Sequence, residues 1–279
     1  MLATRNRKQY YYLPKKYQKA HDYCEFVLFQ IEHIILDKKF VELEKQTLEF
    51  TPVFMTILKE SDAHILDLLK EHGHDDALYH IVKNHMLRSL IMDTCYFLQE
   101  GFLCSLKMRM SVCFTLFRKP FLEILIVLMR ILCEKSFIHD FNSKAGFDPV
   151  RTTPERKQEL LQCCNEKLMK RFVPEDLFDY IFNKDFGDSL FNISNHAVHL
   201  FTDRNPVSKT AKQNLNFIFS NINDIEGQWE YIYSTFPMLV SFMADLIDLL
   251  VFKSTSIEEA VFVARLRERE KVRKLKKVE

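Results

Sequence analysis

The chain has 279 residues, of which 47% are hydrophobic and 28% are charged, and this composition excludes a disordered chain. It contains only 5 glycines and 8 prolines, whereas a protein of many strands and tight turns needs more of both. The net charge of +1 conceals basic ends, because residues 1–19 carry six basic and no acidic side chains, and residues 265–279 carry eight basic and three acidic ones. We therefore predict an all-α protein, a multi-helix bundle around a kinked, buried central helix.

The chain is divided into three predicted regions: a basic N-terminal arm with helices, a central helical bundle, and a basic C-terminal helix or tail, spanning residues 1–75, 76–255 and 256–279. In the first region, a helix over residues 17–49 is expected to break near Asp37. The next helix begins at Thr51 and Pro52, which supply an N-cap and a proline at the first helical position, and it ends at Gly73.

The central region is organised around a helix predicted over residues 103–139. Residues 121–133 are apolar around almost the whole circumference, which is typical of a buried helix. Pro120 lies inside it and should kink it, because proline removes one backbone hydrogen bond. The following elements are a loop at 140–153, helices at 154–171 and 174–183, a helix containing residues 195–199, a strand or helix at 215–219, and a long amphipathic helix at 224–253.

Four charged side chains interrupt the central helix, namely Lys119, Glu123, Arg130 and Glu134. At 100° per residue they fall within about 60° of one another. Charges on such a helix must be paired or face water, because burial of an unpaired charge is costly. Two interpretations stay open: a self-paired stripe on the bundle surface, or one wall of a polar cleft.

A second polar stripe occurs in the segment NISNHAVH. Asn192, Asn195, His196 and His199 are spaced three or four residues apart and share one helical face. Two histidines at this spacing can bind a metal or serve as acid and base. Because no carboxylate lies on the same helix, we predict no metal site. A buried hydrogen-bonded polar cluster and a catalytic or nucleic-acid-binding surface stay open.

The seven cysteines show no metal-binding spacing and their number is odd, so we predict free, reduced thiols and exclude a disulfide framework or zinc ribbon. No signal peptide is recognisable at the N-terminus. The most apolar run, residues 121–133, is too short to span a bilayer. These features predict a cytoplasmic protein without membrane contact, metal or cofactor.

The segment FTLFRKPFLEILIVLMRIL, with Arg118, Pro120 and Glu123, resembles the central helix of uncharacterised bacterial all-helical proteins related to the HEPN superfamily, and the later NHAVHLFTDRNP segment agrees with it. The resemblance covers about residues 100–220. Many HEPN proteins are ribonucleases or toxin and phage-defence components that act as dimers. Their signature is an Arg followed, after four to six residues, by a His, and this spacing is absent here. The resemblance therefore implies a non-catalytic scaffold or a site assembled from separate helices.

We predict a non-enzymatic helical interaction or scaffold protein, in the setting of a bacterial defence or toxin-type system that the resemblance implies. Its partners are expected to be RNA or DNA, or an acidic protein, and it is expected to form a homodimer. The cations assigned to nucleic-acid binding are Arg5, Arg7, Lys8, Arg265, Arg267, Arg269, Lys271, Arg273 and Lys274.

The alternative is an HEPN-like, metal-independent ribonuclease with an atypical site. In that case a histidine would act as general base on a ribose 2′-hydroxyl, and an arginine would stabilise the phosphate charge. The candidate catalytic residues are His196, His199, Arg118, Arg130 and Glu123.

Overall fold

The computed structural model describes residues 9–218 and 220–276. Within these ranges the chain forms twelve α-helices and no strand, which confirms the all-α prediction. The helices are α1 (Lys15–Leu36), α2 (Pro52–Glu60), α3 (Ile65–Glu71), α4 (Asp75–Leu106), α5 (Met110–Lys119), α6 (Leu125–Cys133), α7 (Phe137–Ser143), α8 (Pro154–Lys167), α9 (Pro174–Ile181), α10 (Leu190–Val198), α11 (Ile222–Phe252) and α12 (Glu259–Lys276).

Local capping chemistry sets the boundaries of the N-terminal helices. Asp37 ends α1 and accepts a hydrogen bond from the Lys39 backbone N–H at 3.0 Å, which starts a 3₁₀ segment and confirms the expected break. Thr51 caps α2 through its side chain. The single helix predicted from Thr51 to Gly73 is divided into α2 and α3, because Ser61 and His64 are extended and His64 caps α3 through its side chain. Gly73, just beyond α3, has a φ of +72°, a left-handed conformation that favours glycine at a helix end.

The predicted central helix is divided differently from the expectation. α4 continues through Gly101 and ends at Leu106. The glycine allows a close approach of α5, since a Cβ atom at this position would lie 2.4 Å from the ring of Phe117. A break at residues 107–109 then separates α4 from α5. Met108 makes this turn with a φ of +60°, and no glycine or proline in the sequence indicates it.

Pro120 produces the expected irregularity in the form of a π-helical turn, Pro120–Ile124, between α5 and α6. Proline cannot donate the backbone hydrogen bond that a continuous α-helix requires, and a π turn accommodates that loss. α6 is buried as predicted, and Leu125 and Leu128 have no exposed surface. The kinked α5–α6 unit therefore crosses the core.

Of the described helices, α11 contributes the most buried residues to the core. It packs along α1 and contacts α4, α6 and α12. Trp229 donates from its indole nitrogen to the carbonyl oxygen of Ser105 at 2.9 Å. Among the described residues, α11 alone has the length and hydropathy of a membrane-spanning helix, and 78% of its most apolar window is buried inside the protein. A buried core helix can have the same length and hydropathy as a membrane-spanning one.

Two predicted elements have different limits. α8 ends at Lys167 instead of continuing to residue 171, because Met169 and Lys170 adopt positive φ angles. In the element predicted at 215–219, residues 216–218 form a turn with Phe217 at a φ of +59°, Leu215 lies in neither a strand nor a helix, and residue 219 lies outside the described residues.

One apolar core contains side chains from all three predicted regions, from Leu13 in the first to Phe262 in the last. The limits predicted at residues 75 and 255 therefore do not separate independent cores. A second, smaller cluster joins α2, α3 and the start of α4. Cys133 and Cys163 form a disulfide between α6 and α8, so the prediction of free thiols is wrong for this pair.

Candidate functional site

Arg118, near the C-terminal end of α5, is the predicted catalytic arginine that lies against α10. Its guanidinium donates hydrogen bonds to Ser194 Oγ at 3.1 Å and to Asn195 Oδ1 at 2.7 Å. Both acceptors are uncharged. Burial lowers the pKa of Arg118, while the charge of Glu123 acts in the opposite direction. Arg118 is therefore a half-buried cation whose bonded partners carry no compensating charge.

Glu123 lies in the π-helical turn and is exposed to solvent. π turns widen a helix locally and are frequent at functional sites. The charge of this carboxylate acts to raise the pKa of Arg118, so two of the five predicted catalytic residues lie within electrostatic reach of each other.

His196 connects α10 to the segment that follows it. Its Nε2 lies 2.5 Å from the carbonyl oxygen of Ser208, so the ring nitrogen donates to that oxygen. On the same stripe, Asn192 is buried and donates to the carbonyl oxygens of Lys184 at 3.0 Å and Phe186 at 2.9 Å. These bonds agree with the interpretation of the stripe as a hydrogen-bonded polar cluster.

His199 is the C-cap of α10, and its side chain is exposed. Its backbone N–H donates to the Asn195 carbonyl at 2.9 Å, and its own carbonyl accepts from Asn216 Nδ2 at 2.8 Å. The backbone of His199 therefore holds the end of the helix, while its imidazole lies at the surface.

Arg130 is held away from α10, at the end of α6. It donates to Glu134 Oε2 at 2.8 Å and to the Pro149 carbonyl at 2.9 Å, and its guanidinium lies 4.8 Å from the ring centroid of Phe137. Lys119 pairs with Asp93 on α4. Three residues of the charged stripe, Lys119, Arg130 and Glu134, are thus engaged in separate ion pairs.

A polar cleft of about 610 Å³ lies between α10, residues 209–217 and the first turns of α11, and His196 is among the residues that line it. Gln228 Oε1 and the Tyr231 hydroxyl line it, and both are buried without a hydrogen-bond partner among the described residues. Burial raises the pKa of Tyr231, and the nearby charge of Asp188 adds to the rise. Sequence reasoning missed these two residues, because only the fold shows that polar atoms on α11 are shielded from water.

The predicted nucleic-acid-binding residues Arg265 and Arg269 are buried, and this is a correction to their assignment. Arg269 donates to Asp245 Oδ1 at 2.8 Å and to Asp248 Oδ2 at 2.6 Å, and Arg265 donates from Nε to Asp248 Oδ1 at 2.9 Å. Gln30 of α1 accepts a further bond from Arg269 at 2.7 Å. Burial lowers the pKa of Arg269, but the two carboxylates raise it more. α12 is therefore fixed to α11 by ion pairs.

The outer face of α12 keeps three of the predicted cations at the surface. Arg267, Lys271 and Lys274 are exposed, and they lie within about 60° of arc, opposite the buried arginines. Arg273 is half-buried and within electrostatic reach of Tyr23. Arg5, Arg7 and Lys8 lie outside the described residues.

Tyr10, which precedes α1, and Lys276, at the end of α12, both bond to Asp22 of α1. Lys276 Nζ, at the end of α12, lies 2.5 Å from Asp22 Oδ2, and the Tyr10 hydroxyl donates to Asp22 Oδ1 at 2.8 Å. Burial and Asp22 together raise the pKa of Tyr10 to about 12. Lys19 and Lys15, both exposed, lie about one turn and about two turns before Asp22 on α1. The end of α12 thus lies beside the first turns of α1.

Within the described part of the chain, no group of three or more His, Cys, Asp or Glu side chains is arranged to hold a metal ion. Comparison of the whole chain with protein-family models, with curated proteins and with solved structures gives no match. Function must therefore be inferred from the geometry.

Proposed function

We propose that the protein is a helical interaction module whose two basic termini together bind nucleic acid. The observation that carries this proposal is the junction at Asp22, where Lys276 and Tyr10 bind the two oxygens of one carboxylate. The junction brings the exposed lysines of α1 close to the end of α12. Clustered cations on one face provide the electrostatic attraction on which nucleic-acid binding depends.

A single-stranded ligand agrees best with the side chains beside this surface. Tyr11 and Tyr12, which precede α1, are 45% and 67% exposed. Lys107 lies 4.8 Å from the ring centroid of Tyr11. Exposed aromatic rings among cations can stack on unpaired bases, and such stacking is tolerant of sequence. The proposed ligand is therefore single-stranded RNA or DNA, bound without strong sequence preference.

The buried arginines on the inner face of α12 limit which variants can test the proposal. Deletion of residues 265–279 would remove Arg265 and Arg269 together with the exposed cations, so it would confuse binding with folding. A cleaner variant carries Arg267→Gln, Lys271→Gln and Lys274→Gln, all at exposed positions. Its matched control carries the same three-charge loss at exposed lysines elsewhere on the surface, namely Lys45→Gln, Lys70→Gln and Lys135→Gln.

Fluorescence anisotropy with labelled single-stranded RNA at low salt should show binding by the wild type and by the control, and at least about tenfold weaker binding by the α12 variant. Duplex RNA, single-stranded DNA and a poly-glutamate peptide serve as competitors. Equal affinity of the wild type and the α12 variant for RNA would refute the proposal. Competition by poly-glutamate alone would identify an acidic protein as the partner.

A metal-independent ribonuclease is the second candidate, and one contact favours it. Arg118 donates a hydrogen bond to Asn195, the residue before His196, and both of its hydrogen-bond acceptors are uncharged. A ribonuclease would use such an arginine to stabilise phosphate charge beside a histidine base. RNA incubated with the protein in EDTA should stay intact if the first proposal is correct. Cleavage that is lost in both His196→Ala and Arg118→Ala would establish the second.

The biological system, oligomeric state and location of the protein are predicted from the sequence alone. Its place in a bacterial defence or toxin-type system and its homodimeric state are implied by the resemblance to HEPN proteins, and its cytoplasmic location is predicted from the cysteine pattern, the N-terminal sequence and the short apolar run. These stay predictions.

A further inference from the structure

Three cysteines meet where α6 contacts α8. Cys133 is the last residue of α6, and Cys163 and Cys164 follow each other on α8. The Cα atoms of Cys133 and Cys163 are 6.4 Å apart, which lies within the range of protein disulfides. Cys164 is a free thiol, and its Sγ lies 3.6 Å from Cys133 Sγ. Cys133 therefore has two neighbouring thiols with which it can pair.

The three thiols differ in their access to solvent. Cys133 and Cys163 are half-buried, whereas Cys164 is fully buried. Burial raises the pKa of Cys164 to about 12, so at neutral pH this sulfur is protonated and a poor nucleophile. Small oxidants can reach the Cys133–Cys163 pair before they reach Cys164.

We propose that Cys133, Cys163 and Cys164 form a reversible thiol–disulfide site, in which Cys133 pairs with Cys163 and can exchange to Cys164. Disulfides in a reducing compartment are usually transient and redox-responsive, which reconciles the observed bond with a cytoplasmic protein. Nothing in the proposed nucleic-acid function requires this site, and it stands independently of that function.

The chemistry needs an oxidant of the hydroperoxide class. One thiolate attacks the peroxide oxygen, becomes a sulfenic acid and releases an alcohol, or water from hydrogen peroxide. The second thiol attacks that sulfur, the S–S bond forms and water leaves. A dithiol reverses the reaction and becomes a disulfide itself. In the exchange step, the Cys164 thiolate attacks Cys133 Sγ and Cys163 leaves as a thiolate, without net oxidation.

The bond joins the same two helices as a neighbouring ion-pair network. Glu134 accepts from Arg130 Nε at 2.8 Å and from Arg156 of α8 at 3.0 Å. The disulfide closes a segment with a sequence separation of 30 residues, which includes the loop between α7 and α8. Closure of a loop of this size should raise the melting temperature of the oxidised protein by about 5–10 °C over the reduced protein.

The test uses full-length protein, first reduced and then treated with hydrogen peroxide at pH 7. Free thiols are alkylated, and intact mass and peptide mapping locate the bond. The wild type should lose two alkylatable thiols and yield a Cys133–Cys163 cross-link. Cys163→Ser should yield Cys133–Cys164 instead, more rapidly at pH 9 than at pH 7. Cys104→Ser, which alters a half-buried free thiol, is the matched control and should behave like the wild type.

Cys133→Ser should abolish both cross-links and the rise in melting temperature. An intramolecular disulfide that persists in Cys133→Ser would overturn the proposal, as would a folded wild type in which no thiol pair is oxidised. Because mapping of the wild type alone decides whether the pair forms, a variant that fails to fold leaves the proposal testable.

Discussion

The two faces of α12 carry similar side chains in opposite surroundings. On the inner face, Arg265 and Arg269 are 8% and 2% exposed and bind carboxylates of α11. On the outer face, Arg267, Lys271 and Lys274 are exposed. A cation that is buried and bonded to carboxylates contributes to the position of the helix. One that is exposed keeps its charge available to a partner.

Arg118 is intermediate between these two cases. It is half-buried like a structural arginine, but it bonds to a hydroxyl and an amide oxygen. Desolvation without charge compensation is costly, and such arrangements cluster at functional sites. The three environments therefore predict three sizes of effect when the cation is removed.

The largest effect on stability is expected for Arg269→Ala. Loss of this side chain leaves Asp245 and Asp248 buried with fewer partners, so the free energy of unfolding should fall by about 3–5 kcal/mol. Arg267→Ala, two residues away on the outer face, is the matched control and should change it by less than about 0.5 kcal/mol. Chemical denaturation measures both. Similar losses in the two variants would remove the distinction between the faces.

A double-mutant cycle sharpens the same distinction. Asp245→Ala and Arg269→Ala remove partners that share one buried network with Arg171 and Asp248. The double variant should be more stable than the sum of the single losses predicts, by about 0.5–3 kcal/mol. Strict additivity would show that the ion pair contributes little.

Arg118→Ala should have a smaller effect, about 1–2 kcal/mol, because two hydrogen bonds to neutral acceptors are lost and no carboxylate is left unpaired. Lys119→Ala is the control, since Lys119 pairs with Asp93 at the surface, where both side chains are more than 40% exposed. That variant should stay within about 0.5 kcal/mol of the wild type. Thermal melts compare the two, and a loss for Arg118→Ala as large as that for Arg269→Ala would contradict the intermediate case.

The smallest effect on stability is expected for Glu42→Gln, which alters a contact to the segment between α11 and α12. Ser256 donates from its backbone N–H to Glu42 Oε2 at 2.7 Å and also from its hydroxyl. These bonds lower the pKa of Glu42 in the folded state. Their contribution is therefore present above the ordinary glutamate pKa and is lost as the pH falls through the lowered one. Unfolding measured between pH 6 and pH 3 should show a smaller decline for Glu42→Gln than for the wild type, and equal declines would exclude this contribution.

The sequence predicts helix limits well where capping residues set them. Asp37, Thr51 and the Thr153–Pro154 pair all mark limits that the structure confirms, because a cap depends on neighbouring residues alone. The break after α4 was missed, since Met108 adopts a positive φ without a local signal. Ser256 is bound by a residue distant in sequence, because Glu42 accepts from its backbone N–H and from its hydroxyl.

Site prediction failed where a role depends on another helix. The bonded partners of Arg118 are Ser194 and Asn195 of α10, and the segment that contains Arg118 gives no sign of them. The burial of Arg269 could not be predicted from its own segment, which lacks the apolar residues of a core helix. The carboxylates that bind it, Asp245 and Asp248, lie one turn apart on α11, and the sequence does not indicate that they face α12.

The most direct test of the proposed binding surface is the dependence of RNA affinity on salt. Each phosphate neutralised by a bound cation contributes about 0.7 to the slope of log affinity against log salt for single strands. The triple variant Arg267→Gln, Lys271→Gln and Lys274→Gln should therefore show a slope smaller by about 2 than that of the wild type, with the melting temperature unchanged. An identical slope and affinity in the two proteins would contradict the assignment of the outer face of α12 to nucleic acid.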